Sequence, residues 1–150
     1  MIAKFLIVVV ATLTAAPLSA QGRSGVSAAG LSFEASGAGD PVVLIHGFSL
    51  DRHMWDRQVK TLESRYRVVR YDLRGHGDSA AIEGPYTGYE DLSSVLDALA
   101  IDRATLVGLS AGAELAINFA LTHPDRVARL ILVAPGLGGC RGPDLLVSRI

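Results

Sequence analysis

Ser110 stands in the run Leu106-Val107-Gly108-Leu109-Ser110-Ala111-Gly112-Ala113, where an apolar strand passes through G-x-S-x-G into an alanine-rich helical segment. A serine in such a strand-to-helix turn has its hydroxyl lifted clear of the sheet, placed to attack a carbonyl carbon. Gly108 and Gly112 are expected because side chains there would meet the neighbouring strand and helix. A plain Gly-rich turn or helix N-cap uses the same residue types, so these five residues alone leave both readings open.

A serine nucleophile needs an imidazole within hydrogen-bond reach, and that imidazole needs a carboxylate to fix its tautomer. After Ser110 the sequence holds one histidine, His123, thirteen positions on. Along a continuous helix at 1.5 Å per residue this is about 20 Å, against the ~3 Å that proton transfer needs. His123 is therefore excluded as the base. Of the later carboxylates, Glu114 reads as a helix-start charge, Asp125 lies beside His123, and Asp144 falls in the tail. His53 sits at an exposed helical start.

The elements that would position Ser110 follow from hydrophobic periodicity. Residues 31–35 read as a leading strand closed by Gly37-Ala38-Gly39-Asp40, and Pro41-Val42-Val43-Leu44-Ile45 as a continuous apolar strand of the buried parallel kind. A helix is expected over 51–64, with Trp55, Val59 and Leu62 on its inner face, followed by a strand over 66–71. Thr87-Gly88-Tyr89-Glu90 has capping-box spacing and opens a helix that runs to about Ile101, with Tyr89, Leu92, Val95, Leu96 and Leu99 as its apolar stripe. Residues 105–108 form the strand into the turn, 111–121 the helix out of it, His123-Pro124 the stop, and 130–134 a further strand. Alternating strands and helices imply an α/β fold, a mainly parallel, doubly wound sheet with helices on both faces.

Three motifs occur in order on this frame: His46-Gly47-Phe48 after the first long strand, Asp72-Leu73-Arg74-Gly75-His76-Gly77-Asp78-Ser79 after the next, and the turn at Ser110. Together they resemble the N-terminal half of the α/β-hydrolase superfamily, over roughly 31–135. The resemblance implies that the backbone N–H groups of Phe48 and Ala111 form an oxyanion hole, a donor being worth ~3 kcal/mol of barrier. It also implies that His46 and Gly47 shape that loop. The D-x-R-G-H-G-x-S segment is then a structural turn, its glycines bending the backbone and its polar side chains satisfying nearby backbone groups. In that superfamily serine at the turn favours acyl transfer over epoxide or haloalkane opening, where aspartate stands instead.

The implied activity is hydrolysis of an ester-like bond through an acyl-serine, with no cofactor. A cofactor-free peroxidase or perhydrolase would use the same serine. The superfamily brings the acid and the histidine after the nucleophile, following a lid and on two further strands, so the sequence is expected to be C-terminally incomplete and weakly active or inactive. A vestigial, non-catalytic binding protein of the same partial fold is the reading from another class. The 130–134 strand would be an unpaired apolar edge, open to self-association.

At 150 residues, 49% hydrophobic, 19% charged and a net charge of -1, the composition is that of one globular domain with no basic footprint for nucleic acid. Residues 1–20, with Lys4 before the apolar run 5–11 and small residues up to Ala20, read as a signal peptide cut after Ala20, so the protein is expected to be secreted or periplasmic. That run is about half the ~20 residues of a membrane span, which argues against a stable anchor. Residues 21–30 read as a linker and 136–150 as a loop-rich tail whose lone Cys140 has no intrachain partner. No histidine or cysteine cluster has metal-ligand spacing, and no G-x-G-x-x-G or G-x-x-x-x-G-K-[ST] follows a strand.

Overall fold

A computed structural model describes residues 22–135. Residues 1–20, read above as a signal peptide, together with Cys140, Asp144 and the tail, lie outside them. The elements are strand β1 (Arg23–Val26), β2 (Ser32–Ser36), β3 (Pro41–Ile45), helix α1 (Asp56–Leu62), β4 (Arg67–Tyr71), α2 (Gly88–Ala98), β5 (Ala104–Leu109), α3 (Ala111–Thr122) and β6 (Val127–Val133). A single 3-10 turn, Arg52–Trp55, leads into α1, so the expected 51–64 helix is in fact a 3-10 turn and a seven-residue α-helix.

The described strands form one sheet in the order β1-β2-β4-β3-β5-β6. β4, β3, β5 and β6 are mutually parallel, while β2 runs antiparallel to β4 and β1 antiparallel to β2. β1 corrects the reading of 21–30 as a linker. Arg23-Ser24-Gly25-Val26 has no alternation of buried and exposed positions, so its strand character comes from pairing with β2 and not from a local pattern.

β3 explains its continuous apolar run. Val43 and Ile45 pack on one face of the sheet with Leu92, Val95, Leu96 and Phe119 of α2 and α3, and Val42 and Leu44 pack on the other with Trp55, Val59 and Leu62. Helices therefore cover both faces, and each β3 residue after Pro41 faces a core.

Two helix ends differ from expectation. Thr87 is the N-cap of α2, but its side chain makes no capping bond; only its carbonyl takes part, accepting the Asp91 N–H at 3.2 Å. At the other end α2 stops at Ala98 because Ala100 takes φ 51°, and the N–H groups of Ala100 and Ile101 close back onto the carbonyls of Asp97 and Leu96. This is a Schellman closure.

Register decides what the fold does with its loops. Ile45 lies opposite both Tyr71 and Gly108, and Gly108 opposite Leu132. The loops leaving β3, β4 and β5 thus emerge at one level of the sheet's C-terminal edge, the edge where parallel sheets bind ligands. β6 borders the sheet among the described strands, with Leu130, Ile131, Leu132 and Val133 exposed.

Candidate active site

The turn at Ser110 is built by exclusion of side-chain volume. A Cβ on Gly108 would sit 2.6 Å from Ala113 Cα and closer still to the Gly112 carbonyl, and one on Gly112 would sit 2.5 Å from the His46 carbonyl oxygen. β5, α3 and the end of β3 can approach this closely only because both positions are glycine. Ser110 between them takes φ 51° and ψ -113°, a conformation a non-glycine residue holds only when its surroundings impose it. Its N–H donates to the Val133 carbonyl at 3.0 Å, and its own carbonyl accepts from Ala113 and Glu114 at 2.9 and 3.1 Å. The backbone is pinned on both sides while the residue is exposed. Among the described residues the Ser110 hydroxyl has no hydrogen-bond partner.

The loop after β3 holds the second part. His46 is fully buried. Its Nδ1 donates to the Gly47 carbonyl at 2.8 Å and its Nε2 accepts the Leu73 N–H at 2.9 Å. Both ring nitrogens are therefore committed to backbone. Burial pushes its pKa below the ordinary 6.5 against the opposing pull of the Gly47 carbonyl, so the ring is neutral and ties the β3 loop to the turn after β4. Gly47 runs against the end of β5, where a Cβ would meet the Leu109 carbonyl oxygen at 3.4 Å. Phe48, 74% exposed, stands edge-on to His76 at 5.8 Å. Among the described residues neither the Phe48 nor the Ala111 N–H has an acceptor, and both residues line one cleft of about 490 Å³. Ala111 opens α3, whose positive dipole end faces the same place.

The turn after β4 is bonded inward. The fully buried Asp72 carboxylate accepts the N–H groups of Arg52 (2.7 Å) and Asp78 (2.9 Å) and pairs with the Arg52 guanidinium. Burial alone works to raise the Asp72 carboxyl, but these donors outweigh it and hold it below 3.8. Ser79 Oγ donates to the Asp72 carbonyl at 2.6 Å and accepts the Ser32 N–H at 2.9 Å. Gly77, at φ 48°, leaves room for that carboxylate, since a Cβ would fall 2.8 Å or less from its oxygens. His76 Nδ1 donates to the Arg74 carbonyl at 3.1 Å.

The remaining titratable candidates stand elsewhere. His53, exposed on the 3-10 turn, lies 3.5 Å from Asp56. His123 caps the far end of α3, stacked on Phe119 at 4.8 Å and bonded to the Thr122 hydroxyl. Glu114 is in the first turn of α3 and lines the cleft, and Asp125 lies in the 3-10 turn beyond it. Among the described residues no histidine makes a hydrogen bond to Ser110, and no three His, Cys, Asp or Glu side chains converge on a metal-sized site. Among the same residues no helix is long and apolar enough to cross a membrane.

Arg52 was not legible as part of this arrangement. Besides Asp72 it pairs with Glu34 at 3.1 Å and Asp78 at 2.8 Å, and Arg70 joins Glu34 at 2.7 Å. These partners lie 18 to 36 residues apart, and no local pattern signals them.

The family described as alpha/beta hydrolase fold matches residues 40–147. The provisionally named carbamate hydrolase RutD of a Caulobacter species is 38% identical over 112 residues, 72% of this chain and 40% of its own length. The pimeloyl-[acyl-carrier protein] methyl ester esterase of Aliivibrio salmonicida is 36% identical over 104 residues, 69% of this chain and 39% of its own. A thermophilic esterase from Thermogutta terrifontis superposes with a TM-score of 0.66 at 40% identity, over 75% of this chain and 45% of that structure. The chain spans less than half the length of each.

Proposed function

Because this chain belongs to the α/β-hydrolase fold family, we propose that it is a serine hydrolase of ester-like bonds with Ser110 as nucleophile. The observation that carries this reading is a pinned, exposed serine whose hydroxyl is unpartnered among the described residues, beside two N–H groups without acceptors. Ser110 Oγ adds to the carbonyl carbon while a base takes its proton. The carbonyl oxygen becomes an oxyanion that accepts from the N–H groups of Phe48 and Ala111. Collapse expels the alkoxide, which takes the proton back and leaves as the alcohol, with the acyl group on Ser110. Water then releases the carboxylic acid by the same steps. The base and its orienting acid come, on this reading, from outside residues 22–135, because His46 is spent on backbone, His76 gives its Nδ1 to the Arg74 carbonyl and makes no hydrogen bond to Ser110, and His53 and His123 are placed elsewhere. Nucleophile and oxyanion donors without that pair give turnover orders of magnitude below a complete enzyme.

Labelling of the full chain with a fluorophosphonate, mapped by mass spectrometry, tests this. Slow modification at Ser110, absent in Ser110→Ala, is the expected result. No modification of protein shown to be folded by circular dichroism, or equal modification of the variant, overturns it. Export is the accompanying proposal from residues 1–20; a mature N-terminus near Gln21 in secreted or periplasmic material supports it, and an intact Met1 on cytosolic protein rejects it.

A further inference from the structure

The loop that carries the Phe48 N–H runs from His46 to Arg52, and little inside it holds it in place. Phe48 and Leu50 are exposed. The backbone bond that closes its turn, from the Leu50 N–H to the Gly47 carbonyl, is long at 3.3 Å. Ser49 takes φ 61°, a left-handed conformation that a serine keeps only when its surroundings impose it. An oxyanion donor acts over a range of about 2.7–3.1 Å, and a displacement of about 1 Å at a reacting centre costs about a hundredfold in rate. A loop so weakly held from within serves as a donor only if it is fixed from outside.

Its two ends are anchored on consecutive residues of the turn after β4. At one end His46 Nε2 accepts the Leu73 N–H at 2.9 Å. At the other, Asp72 Oδ1 accepts the Arg52 N–H at 2.7 Å while Oδ2 pairs with the Arg52 guanidinium. Because the anchors are neighbours in sequence, they cannot drift apart. All three side chains are buried, so water does not compete for these bonds, and the carboxylate makes the second one charge-assisted. The anchoring turn is itself fixed, since the Asp78 N–H and the Ser79 hydroxyl both donate to Asp72. Arg52 also reaches Glu34 of β2 at 3.1 Å, which ties the far end of the loop to the sheet. We propose that His46, Asp72 and Arg52 form a clamp that sets the direction of the Phe48 N–H, and are positioning residues for the oxyanion donor. This rests on the reading of Ser110 as nucleophile with Phe48 as donor.

The test follows fluorophosphonate labelling of the full chain over a range of reagent concentrations, which separates the rate of phosphonylation from the affinity for the reagent. His46→Ala removes one anchor and Asp72→Asn weakens the other. Each should lower the rate by about tenfold, less than the roughly hundredfold that follows outright loss of a donor, with affinity unchanged. His46→Gln, whose Oε1 accepts the Leu73 N–H in place of the imidazole, should keep the parent rate. Leu96→Ala, a truncation in the core of α2 away from both anchors, should lower stability and leave the rate as it is. Rates are compared on protein shown to be folded by circular dichroism, and if one anchor variant does not fold the other carries the test. Parent-like rates in the folded anchor variants, or an equal fall in Leu96→Ala, overturn the clamp. If the parent itself is not labelled, the nucleophile reading fails separately, and the clamp is judged by NMR of the Phe48, Ser49 and Leu50 amides. Displacement of these signals in the anchor variants, with those of residues 118–122 unmoved, supports it; unmoved loop signals overturn it.

Discussion

The turn 72–79 and the elbow 108–112 flank the loop that follows β3, and each combines glycines with side chains of catalytic type. In the first, Asp72, Ser79 and His76 are all bonded to backbone or to a buried cation. In the second, the backbone of Ser110 is held while its hydroxyl is left without a partner among the described residues. The glycines differ in the same sense. Gly77 makes space for a carboxylate that must be satisfied, whereas Gly108 and Gly112 make space for a close crossing that lifts a side chain outward. A dense polar motif whose groups satisfy one another is architecture, whereas a strained residue whose side chain is unpartnered among the described residues is the one to test for function.

This contrast is broken most directly through the buried ion pair. Asp72→Ala leaves the Arg52 guanidinium buried with part of its partners gone, and urea unfolding should show a loss of about 3–5 kcal/mol. Ser110→Ala should fall within about 0.5 kcal/mol of the parent while losing all fluorophosphonate modification. Equal destabilisation by both would erase the distinction between the two loops. Gly112→Ala comes next, expected to cost about 1–3 kcal/mol because the β3 carbonyls must move; a neutral result would mean that the crossing is looser than its contacts indicate.

Acid sharpens the comparison, since the first loop and its partners hold the shifted groups. Above pH 6.5 the unfolded and native forms of His46 are both neutral. Below that value the unfolded imidazole takes a proton that the buried one refuses, so stability declines as pH falls toward the lowered native value. Asp72 and Glu34 add a second decline. Burial works to raise both carboxyls, yet Arg52, with Arg70 at Glu34 and backbone donors at Asp72, holds them below their ordinary 3.8 and 4.5. Their stabilisation is complete above those values and is lost as pH falls through the native ones. Melting temperature measured against pH should follow both limbs, and His46→Gln should flatten the upper one. The smallest effect is a gain: Ser110→Gly removes the cost of a left-handed serine and should stabilise the fold by about 1 kcal/mol relative to Ser110→Ala, read by the urea midpoint.

Much of this was legible because it is local. β3, β5 and α3 announce themselves through continuous apolar runs and a G-x-S-x-G between them, and the α2 stripe of Leu92, Val95, Leu96 and Leu99 is buried as its spacing requires. β1 was not legible, because its residues alternate in nothing and gain their conformation from β2. The side-chain cap of Thr87 was over-read from spacing that does not fix a hydroxyl's direction. The Arg52 pairings escaped because they join residues that only the fold brings together.

By itself the sequence determined the order of strands and helices from β2 onward, the position of the turn at Ser110 and the need for glycine on either side of it, since these depend on periodicity and on the volume of single residues. Tertiary structure alone decided that the loops after β3, β4 and β5 meet at one level, that His46 is spent on holding two of them together, and that Arg74 is paired with Asp91 and the Ala29 carbonyl. Those outcomes depend on parallel register and on pairings between residues 17 to 45 positions apart, separations over which a linear pattern carries no distance.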